Sequence, residues 1–600
     1  MRRTLLLLAP LLSLPLACTH LGHGPVDPAF DPARIAADVA WLADDAREGR
    51  GLATDGLAEA ARYVAREFET AGLEPGEPGG SYLQSFEAPL TIGVSSAELR
   101  VEGVPLARGR DFEALLTSRS GASEGEPVLV GYGISDEESG WDDYAGVDVD
   151  GRLVVVLDDR PQLEAGPLGG LRGGRFLRRA YKIATARRHG AAGILLAPAE
   201  DVEGLPANAG REDSNPTRQE SEILTLAISR ETAVGLVAAA GMSLEERQEQ
   251  MRSSGRPASV PLSGVQVRAA AQIDRRWGTL ANVVGVRPGS DPALAGEAVV
   301  IGAHLDHLGR GEYGSLAPDR RGEIHNGADD NASGTAGLLA LARALGSRPA
   351  PRRSIVLVAF TAEEVGLAGS AHYVATPTVP VTDTVAMLNL DMIGRLEEGS
   401  ITVFGAESSP GFESLVADER QAAELAFAEG AFAPSDQTSF HAQGVPVLFF
   451  FTGTHGDYHT PDDDAERVDA AGISTVARLV ERVSRRLADA DEPPEVTRSE
   501  APGRVTGGEG GYGPYLGTVP AFGGPPVRGV RLQAVRPGSP AEQAGLRAED
   551  VIVQFADAPV VNLEEYAALL FGSRAGERVG IVVEREGRHI ETWAILGQRR

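Results

Sequence analysis

Continuous apolar runs alternate with helical patterns from Gly278 to residue 489, and this alternation limits the folds open to the chain. Residues 299–303, 355–359 and 385–390 are runs of this kind. A strand that is apolar at every position is buried on both faces, as in sheets covered by helices on both sides. We therefore expect an α/β fold for this part of the chain.

The chain opens on two arginines and a short apolar segment, residues 4–17. Fourteen residues cannot cross a hydrocarbon layer that needs about 20, so residues 1–18 are predicted to be a signal peptide. The segment ending at Cys18 resembles a bacterial lipobox, which implies lipidation of Cys18 and attachment to a membrane. Ordinary cleavage nearby is the alternative. Either way we expect export to the bacterial cell envelope, as an outer-membrane lipoprotein or in the periplasm, or secretion.

Composition excludes several classes of protein. The net charge of −29 repels phosphate backbones, so no nucleic-acid partner is expected. Cys18 is the only cysteine, which excludes an internal disulfide and a multi-cysteine zinc finger. Seven of the 11 histidines fall between His304 and His459, about twice an even share. We therefore expect the functional site to lie in this stretch.

Ligand-type residues stand at or just beyond the predicted strands. His304 and Asp306 are two apart in an extended segment, so they are expected to face the same side, with the Asp306 carboxylate orienting the His304 ring. Adjacent carboxylates at Glu363 and Glu364 are costly after an apolar strand unless they bind cations or share a proton. Asp329 lies in a turn that opens a helix, where a helix cap is an equal alternative. Further candidates are Asp391, Tyr458 and His459.

Taken in order, these motifs resemble the di-zinc exopeptidase family that includes bacterial leucyl aminopeptidases, glutamate carboxypeptidase and the transferrin receptor. The resemblance covers essentially the whole mature chain and implies a mixed central sheet flanked by helices. It also implies two Zn²⁺ ions, with one residue bridging them and one acting as general base. The implied roles are His304 and Asp391 on one zinc, Glu364 and His459 on the other, Asp329 as bridge and Glu363 as base. From their positions beside His459, Tyr458 is expected to donate to the oxyanion and Asp462 to support the His459 loop.

Other residues of this stretch match no ligand position of the family. Ser435-Asp436-Gln437 stands where many relatives have Ser-Asp-His, a departure that concerns the lining of the pocket. Five histidines are expected to have ordinary structural roles, namely His307, His325, His372, His441 and His455.

Two further regions resemble known domains. Residues 118–272 resemble the protease-associated domain, a β-rich insertion that divides the peptidase domain into 31–117 and 273–489. Residues 490–511 are rich in Pro and Gly and predict a linker. Residues 512–600 resemble a PDZ domain of the bacterial protease type, whose loop Tyr515-Leu516-Gly517 is expected to hold the terminal carboxylate of a peptide. An extended peptide then pairs with the edge of the sheet.

The function expected from these features is an exported metallo-aminopeptidase that removes N-terminal residues from peptides. Three alternatives stay open: a glutaminyl cyclase-like transferase, a carboxypeptidase, and a surface scaffold that binds peptides through its PDZ domain. The number of bound zinc ions separates the first alternative, because the cyclases on this scaffold use one.

Overall fold

The computed structural model describes the chain from residue 27 onward, with gaps. The described residues are 27–136, 139–159, 176, 178–200, 202, 204–205, 214–396, 400–421, 424–428, 431, 433–497, 514–521 and 527–598. Within these ranges, none of the helices combines the length and the apolar character needed to span a bilayer. The predicted leader with Cys18, and residues 498–511 of the predicted linker, lie outside the described residues.

Twelve α-helices occur in the described part of the chain. They are α1 (Pro32–Leu42), α2 (Asp55–Thr70), α3 (Arg179–Arg188), α4 (Arg230–Ala239), α5 (Leu244–Ser254), α6 (Gly334–Ser347), α7 (Ala368–Ala375), α8 (Phe412–Glu419), α9 (Gln437–His441), α10 (Ala470–Asp489), α11 (Pro540–Gln543) and α12 (Leu563–Gly572).

The strands of the same residues form two large sheets, a six-stranded C-terminal sheet and two small ribbons. They are β1 (Glu74–Pro75), β2 (Leu83–Val101), β3 (Val104–Pro105), β4 (Phe112–Ala114), β5 (Gly121–Gly125), β6 (Val128–Leu129), β7 (Ser135–Asp136), β8 (Trp141–Asp142), β9 (Leu153–Leu157), β10 (Gly193–Ala197), β11 (Leu224–Ile228), β12 (Val260–Pro261), β13 (Val267–Arg287), β14 (Ala298–His304), β15 (Ser354–Phe360), β16 (Thr384–Leu390), β17 (Ile401–Phe404), β18 (Leu425–Ala428), β19 (Val447–Phe451), β20 (Pro514–Tyr515), β21 (Thr518–Pro520), β22 (Val530–Val535), β23 (Val551–Phe555), β24 (Ala558–Pro559), β25 (Arg578–Arg585), β26 (Arg588–Ile595) and β27 (Gly597–Gln598).

The largest sheet is mixed and forms the centre of the part that carries the predicted metal ligands. Its strand order is β18-β17-β19-β16-β14-β15-β13-β2-β3, with β1 and β5 paired to β13. Strands β15, β14, β16 and β19 run parallel to one another. Strand β13 is antiparallel to both β15 and β2, and β17 is antiparallel to β19. The prediction of an α/β fold with a mixed central sheet flanked by helices is confirmed.

Burial explains why the parallel strands were readable from the sequence. Every residue of β14, β15 and β16 is buried, because helices cover the sheet and leave no polar face. Helix α10 is amphipathic, and its apolar side packs into the same core cluster as α1, α2 and α6. The Asp469 carboxylate caps its N-terminus by accepting a hydrogen bond from the Gly472 N–H.

A second sheet has the order β12-β6-β9-β10-β11-β4. All of its strands lie between β2 and β13 along the chain, and we call this part the inserted region. Its central strands β9, β10 and β11 are parallel and fully buried. Strand β4 lies before the expected boundary at residue 118, and the long strand β13 runs through the expected boundary at 272. The relation of this region to protease-associated domains stays a prediction.

The C-terminal sheet has the order β21-β22-β23-β25-β26, with β24 paired to β23. Helix α12 of this unit packs against α3 of the inserted region, where the Glu565 carboxylate pairs with the Arg187 guanidinium at 2.8 Å. Ala568 of α12 is buried in the core cluster of the inserted region. The prediction of a C-terminal β-rich PDZ region is confirmed.

Candidate metal centre

The candidate site lies where the parallel strands of the central sheet end. His304 is the last residue of β14, Asp391 directly follows β16, and Glu363 and Glu364 follow β15. Because parallel strands share one carboxyl edge, these side chains meet in a single cleft. The loop after β19 adds His459 from the same edge.

His304 faces two carboxylates through one ring nitrogen. Its Nε2 lies 3.2 Å from Oδ1 of Asp330 and 3.3 Å from Oδ1 of Asp391. Its other nitrogen, Nδ1, lies 3.1 Å from the main-chain carbonyl oxygen of Asp306. A carbonyl can only accept a hydrogen bond, so Nδ1 carries the proton.

His459 repeats this arrangement on the opposite side of Asp330. Its Nε2 lies 3.1 Å from Oδ2 of Asp330 and 3.2 Å from Oε2 of Glu364. Its Nδ1 donates to the main-chain carbonyl of Gly314 at 2.8 Å. The two oxygens of Asp330 therefore face two separate pairs, each made of one histidine and one further carboxylate.

This arrangement of histidines and carboxylates is suited to binding cations. With each ring proton committed to a carbonyl through Nδ1, the Nε2 lone pairs of His304 and His459 point at carboxylates. A lone pair facing two negative oxygens is repulsive in a buried cleft unless the ring takes up a second proton or a cation lies between the groups. A second proton on each ring relieves this repulsion only in part, because one N–H cannot point at both carboxylate oxygens.

The donor set and its spacing fit zinc. Zn²⁺ binds His nitrogen and carboxylate oxygen at about 2.0–2.2 Å with tetrahedral geometry, which separates ligand atoms by about 3.3 Å. The four separations around His304 and His459 lie between 3.1 and 3.3 Å. Donor atoms of His304, Asp330 and Asp391 also group closely enough to hold one ion. Imidazole with carboxylate is a usual zinc environment.

The expected bridge was wrong by one residue. The Asp329 carboxylate accepts a hydrogen bond from the Gly394 N–H at 2.6 Å, and its Oδ2 lies 3.2 Å from Nε2 of His455. It therefore points away from His304 and His459, and Asp330 occupies the central position. The turn, 328–333, is irregular, with non-helical dihedral angles at Asp330 and Asn331.

Asp463 holds the turn that carries Asp330. Its carboxylate accepts hydrogen bonds from the main-chain N–H groups of Asp329 and Asp330 at 3.0–3.1 Å, and it is fully buried. Asp462, which is expected to support the His459 loop, is half exposed and pairs with Arg320 at 2.8 Å.

The Asp306 carboxylate contacts the segment that follows β15, and only the Asp306 main chain contacts the His304 ring. Its main-chain carbonyl orients His304, whereas its carboxylate accepts a hydrogen bond from the Glu363 main-chain N–H at 3.1 Å. The expected carboxylate–imidazole contact is corrected accordingly. The reason is that β14 ends at His304, so the strand alternation that would place both side chains on one side does not continue.

Glu363 lies among other carboxylates beside His304. Burial, together with the negative charges of Glu364 and Asp391, raises the pKa of the Glu363 carboxyl well above its ordinary value. Burial disfavours the charged form of His459, but Glu364 and Asp330 outweigh it and raise the pKa of that ring to about 11. Glu363 and His459 thus hold their protons tightly.

Two further side chains contact the candidate ligands. Tyr458 stacks on the His459 ring with centroids 3.9 Å apart, and burial raises the pKa of its phenol, which stays protonated as a donor. Ser435 Oγ donates to Oδ2 of Asp391 at 2.7 Å.

Of the five histidines expected to be structural, His307 lies closest to the cluster. Its Nδ1 lies 2.7 Å from Oε1 of Glu364, which leaves Oε2 facing His459. His455 contacts Asp329. The other three make local contacts elsewhere: His325 with Ser315, His372 with Thr376, and His441 with the Val445 carbonyl.

In the C-terminal unit, the loop that is expected to hold a peptide's terminal carboxylate is anchored through its own main-chain carbonyl groups. The carbonyl of Leu516 accepts from the Ala541 N–H, and that of Gly517 accepts from the Arg536 N–H. Gly517 has φ +92°, and a Cβ there would lie 2.2 Å from Cβ of Ser539, so only glycine fits. Tyr515, the first residue of the loop, is also the last residue of β20.

The segment that carries the candidate metal centre matches a known protein family. Residues 282–484 match peptidase family M28, and residues 532–585 match the PDZ domain. The chain therefore contains an M28 peptidase domain followed by a PDZ domain.

Several relatives of this chain are named as aminopeptidases. A probable leucine aminopeptidase of Arthroderma otae is 28% identical over 237 residues, covering 38% of this chain and 63% of its own. The probable lipoprotein aminopeptidase LpqL of Mycobacterium tuberculosis is 29% identical over 171 residues, covering 26% and 31%. The chain thus spans less than two thirds of either relative. The solved aminopeptidase from Aneurinibacillus sp. strain AM-1 aligns over 78% of this chain and 95% of its own, with 20% identity and TM-score 0.47.

Proposed function

We propose that the protein is a zinc-dependent aminopeptidase whose site binds two Zn²⁺ ions. The observation that carries the proposal is that the Nε2 atoms of His304 and His459 lie 3.2 and 3.1 Å from the two oxygens of Asp330. The M28 match of the same segment supports it.

Five side chains would hold the metal. His304 and Asp391 would bind on one side, Glu364 and His459 on the other, and Asp330 between them. When bound, zinc supplies a Lewis acid for the peptide carbonyl and lowers the pKa of a water molecule towards neutrality.

Glu363 is the proposed general base. Its carboxylate would accept a proton from the attacking water and deliver it to the leaving amine. The hydrogen bond from its main-chain N–H to the Asp306 carboxylate fixes the backbone from which the side chain reaches into the cleft.

Tyr458 is the proposed donor to the carbonyl oxygen as negative charge develops there. Its phenol stays protonated at neutral pH and its ring is held by stacking on His459. Fixed donors aimed at developing charge lower the barrier because they need no rearrangement during the reaction.

A scan of free and N-blocked peptides tests the substrate class. The zinc-loaded protein is expected to hydrolyse leucyl-nitroanilide and free dipeptides, and to leave N-acetylated peptides intact. Cleavage of N-blocked peptides at the C-terminal bond would instead establish a carboxypeptidase. Cyclisation of an N-terminal glutamine without hydrolysis would establish the transferase.

The accessory parts extend the proposal. We propose that the loop at Tyr515, Leu516 and Gly517 binds the C-terminal carboxylate of a peptide, and that residues 118–272 form a protease-associated insertion.

We further propose export, with attachment to the cell envelope through lipidated Cys18. A relative named as a lipoprotein aminopeptidase supports this location. Replacing Cys18 with Ser is expected to release the protein from membranes.

A further inference from the structure

A buried arginine outside the M28-matched segment contacts both halves of the candidate metal centre. Arg50 follows α1 and has no solvent exposure. Its Nε donates to the main-chain carbonyl of Leu305 at 2.7 Å, and its Nη1 donates to that of Asn326 at 2.7 Å. Nη1 and Nη2 also donate to the carbonyls of Leu42 and Gly327, each at 2.8 Å.

The positions of these acceptors matter more than their number. Leu305 directly follows His304, whereas Asn326 and Gly327 precede Asp330 by four and three residues. One rigid guanidinium thus joins the segment that ends in His304 to the turn that carries Asp330. Arginine is suited to this task because its donors are fixed in one plane.

The main chain around Arg50 reinforces the same connection. The carbonyl of Arg50 accepts from the His307 N–H at 3.2 Å, and that of Gly49 accepts from the Gly309 N–H at 3.1 Å. A Cβ on Gly49 would lie 2.3 Å from the main-chain oxygen of His325, and its φ is +58°. The segment is therefore seated tightly against the loop that follows His304.

Arg50 also keeps its charge. Burial lowers its pKa to about 10, while Asp330 and Asp306 oppose that shift, so the group is protonated at neutral pH. A buried cation is costly unless its donors are satisfied, and here four donors reach main-chain carbonyls. These four hydrogen bonds offset the cost of burying the charge beside the cleft, and they fix the geometry of the main chain there.

We propose that Arg50 is a positioning residue for the metal centre, setting the separation of His304 and Asp330 through the carbonyls of Leu305, Asn326 and Gly327. The inference rests on the proposed zinc site. Metal–ligand distances are expected to lie within about 0.2 Å of their standard values, and groups that orient ligands typically contribute about 10–100-fold in metal affinity.

Arg353 offers a matched control. It is also a fully buried arginine, and it pairs with Glu297 at 2.6 Å and with the carbonyl of Ala490. It directly precedes β15, whereas Glu363 and Glu364 follow the other end of that strand. Its loss is expected to lower stability without moving the metal ligands.

The test compares Arg50→Lys and Arg50→Met with Arg353→Lys and Arg353→Met in the full chain. Zinc affinity is measured by competition with a chromophoric chelator, and folding by circular dichroism and thermal unfolding with and without zinc. Arg50→Lys is expected to weaken zinc binding about 10–100-fold and to reduce the rise in Tm on adding zinc. The Arg353 variants are expected to stay within about twofold of wild-type zinc affinity.

Wild-type zinc affinity in folded Arg50→Lys overturns the inference, as does an equal loss in Arg353→Lys. If Arg50→Met fails to fold, Arg50→Lys decides. If neither folds with zinc present, the residue serves stability alone and the positioning role is also overturned. Absence of zinc binding by the wild type is a different result, because it contradicts the proposed function.

Discussion

The Nε2 atom of His459 lies 3.1 Å from Oδ2 of Asp330. Asp330→Asn replaces one of the two oxygens by an amide group that cannot bind metal, and removes the negative charge. We expect catalytic activity to fall by more than about 100-fold with loss of bound metal, since this exceeds the usual effect of a residue that only orients a ligand. Asp329→Asn is the matched control, and a larger loss there than in Asp330→Asn would contradict the assignment.

Glu363 and Glu364 are neighbours with different proposed roles. Glu363→Gln is expected to lower kcat by about 100- to 10,000-fold, the range for a general base, while zinc content stays at the wild-type level. Glu364→Gln is expected to lower zinc content as well. Both effects are read from one set of assays, leucyl-nitroanilide hydrolysis beside elemental analysis. Unchanged hydrolysis in Glu363→Gln would remove it as the base.

Asp463 supports the turn of Asp330 through two main-chain N–H groups. Asp463→Ala leaves these donors buried without their acceptor, so the turn is expected to shift and zinc affinity to fall about 10–100-fold. Asp462→Ala, at the exposed neighbour, is expected to leave zinc affinity unchanged. Chelator competition measures both, and equal effects would show that the loop as a whole is responsible.

Glu565 makes stability depend on pH at the contact between α12 and the inserted region. Burial raises the pKa of its carboxyl to about 7 against the opposing charge of Arg187. The folded state therefore holds a proton that the unfolded state releases near pH 4.5. The resulting stabilisation is complete below that pH and is lost as the pH rises through 7.

Glu565→Gln keeps the shape and removes the titration. Its Tm is expected to fall less than that of the wild type between pH 5 and 8, as followed by scanning calorimetry. Glu549→Gln is the control, because that side chain is 74% exposed. Parallel pH profiles for wild type and Glu565→Gln would refute the role of this carboxyl.

The fold was readable from the sequence where burial leaves a simple pattern. Residues 299–303 and 355–359 were predicted as buried strands, and they lie within β14 and β15. Such strands are apolar throughout because the sheet is covered on both faces. The expected limits of the insertion were less certain because β13 passes through one of them without interruption.

The site was predictable by residue type and less so by residue number. Asp329 and Asp330, like Asp462 and Asp463, are chemically equal neighbours, and only the backbone of an irregular turn decides which one points inward. Arg50 was missed for another reason. It acts on main-chain carbonyls, which leave no signal in the sequence.

Elemental analysis of the purified wild-type protein after equilibration with zinc and removal of excess metal tests the central claim most directly. Two zinc ions per chain are predicted, because the two oxygens of Asp330 face two separate histidine–carboxylate pairs. One zinc per chain would contradict the two-metal assignment, and none would contradict the metal centre itself.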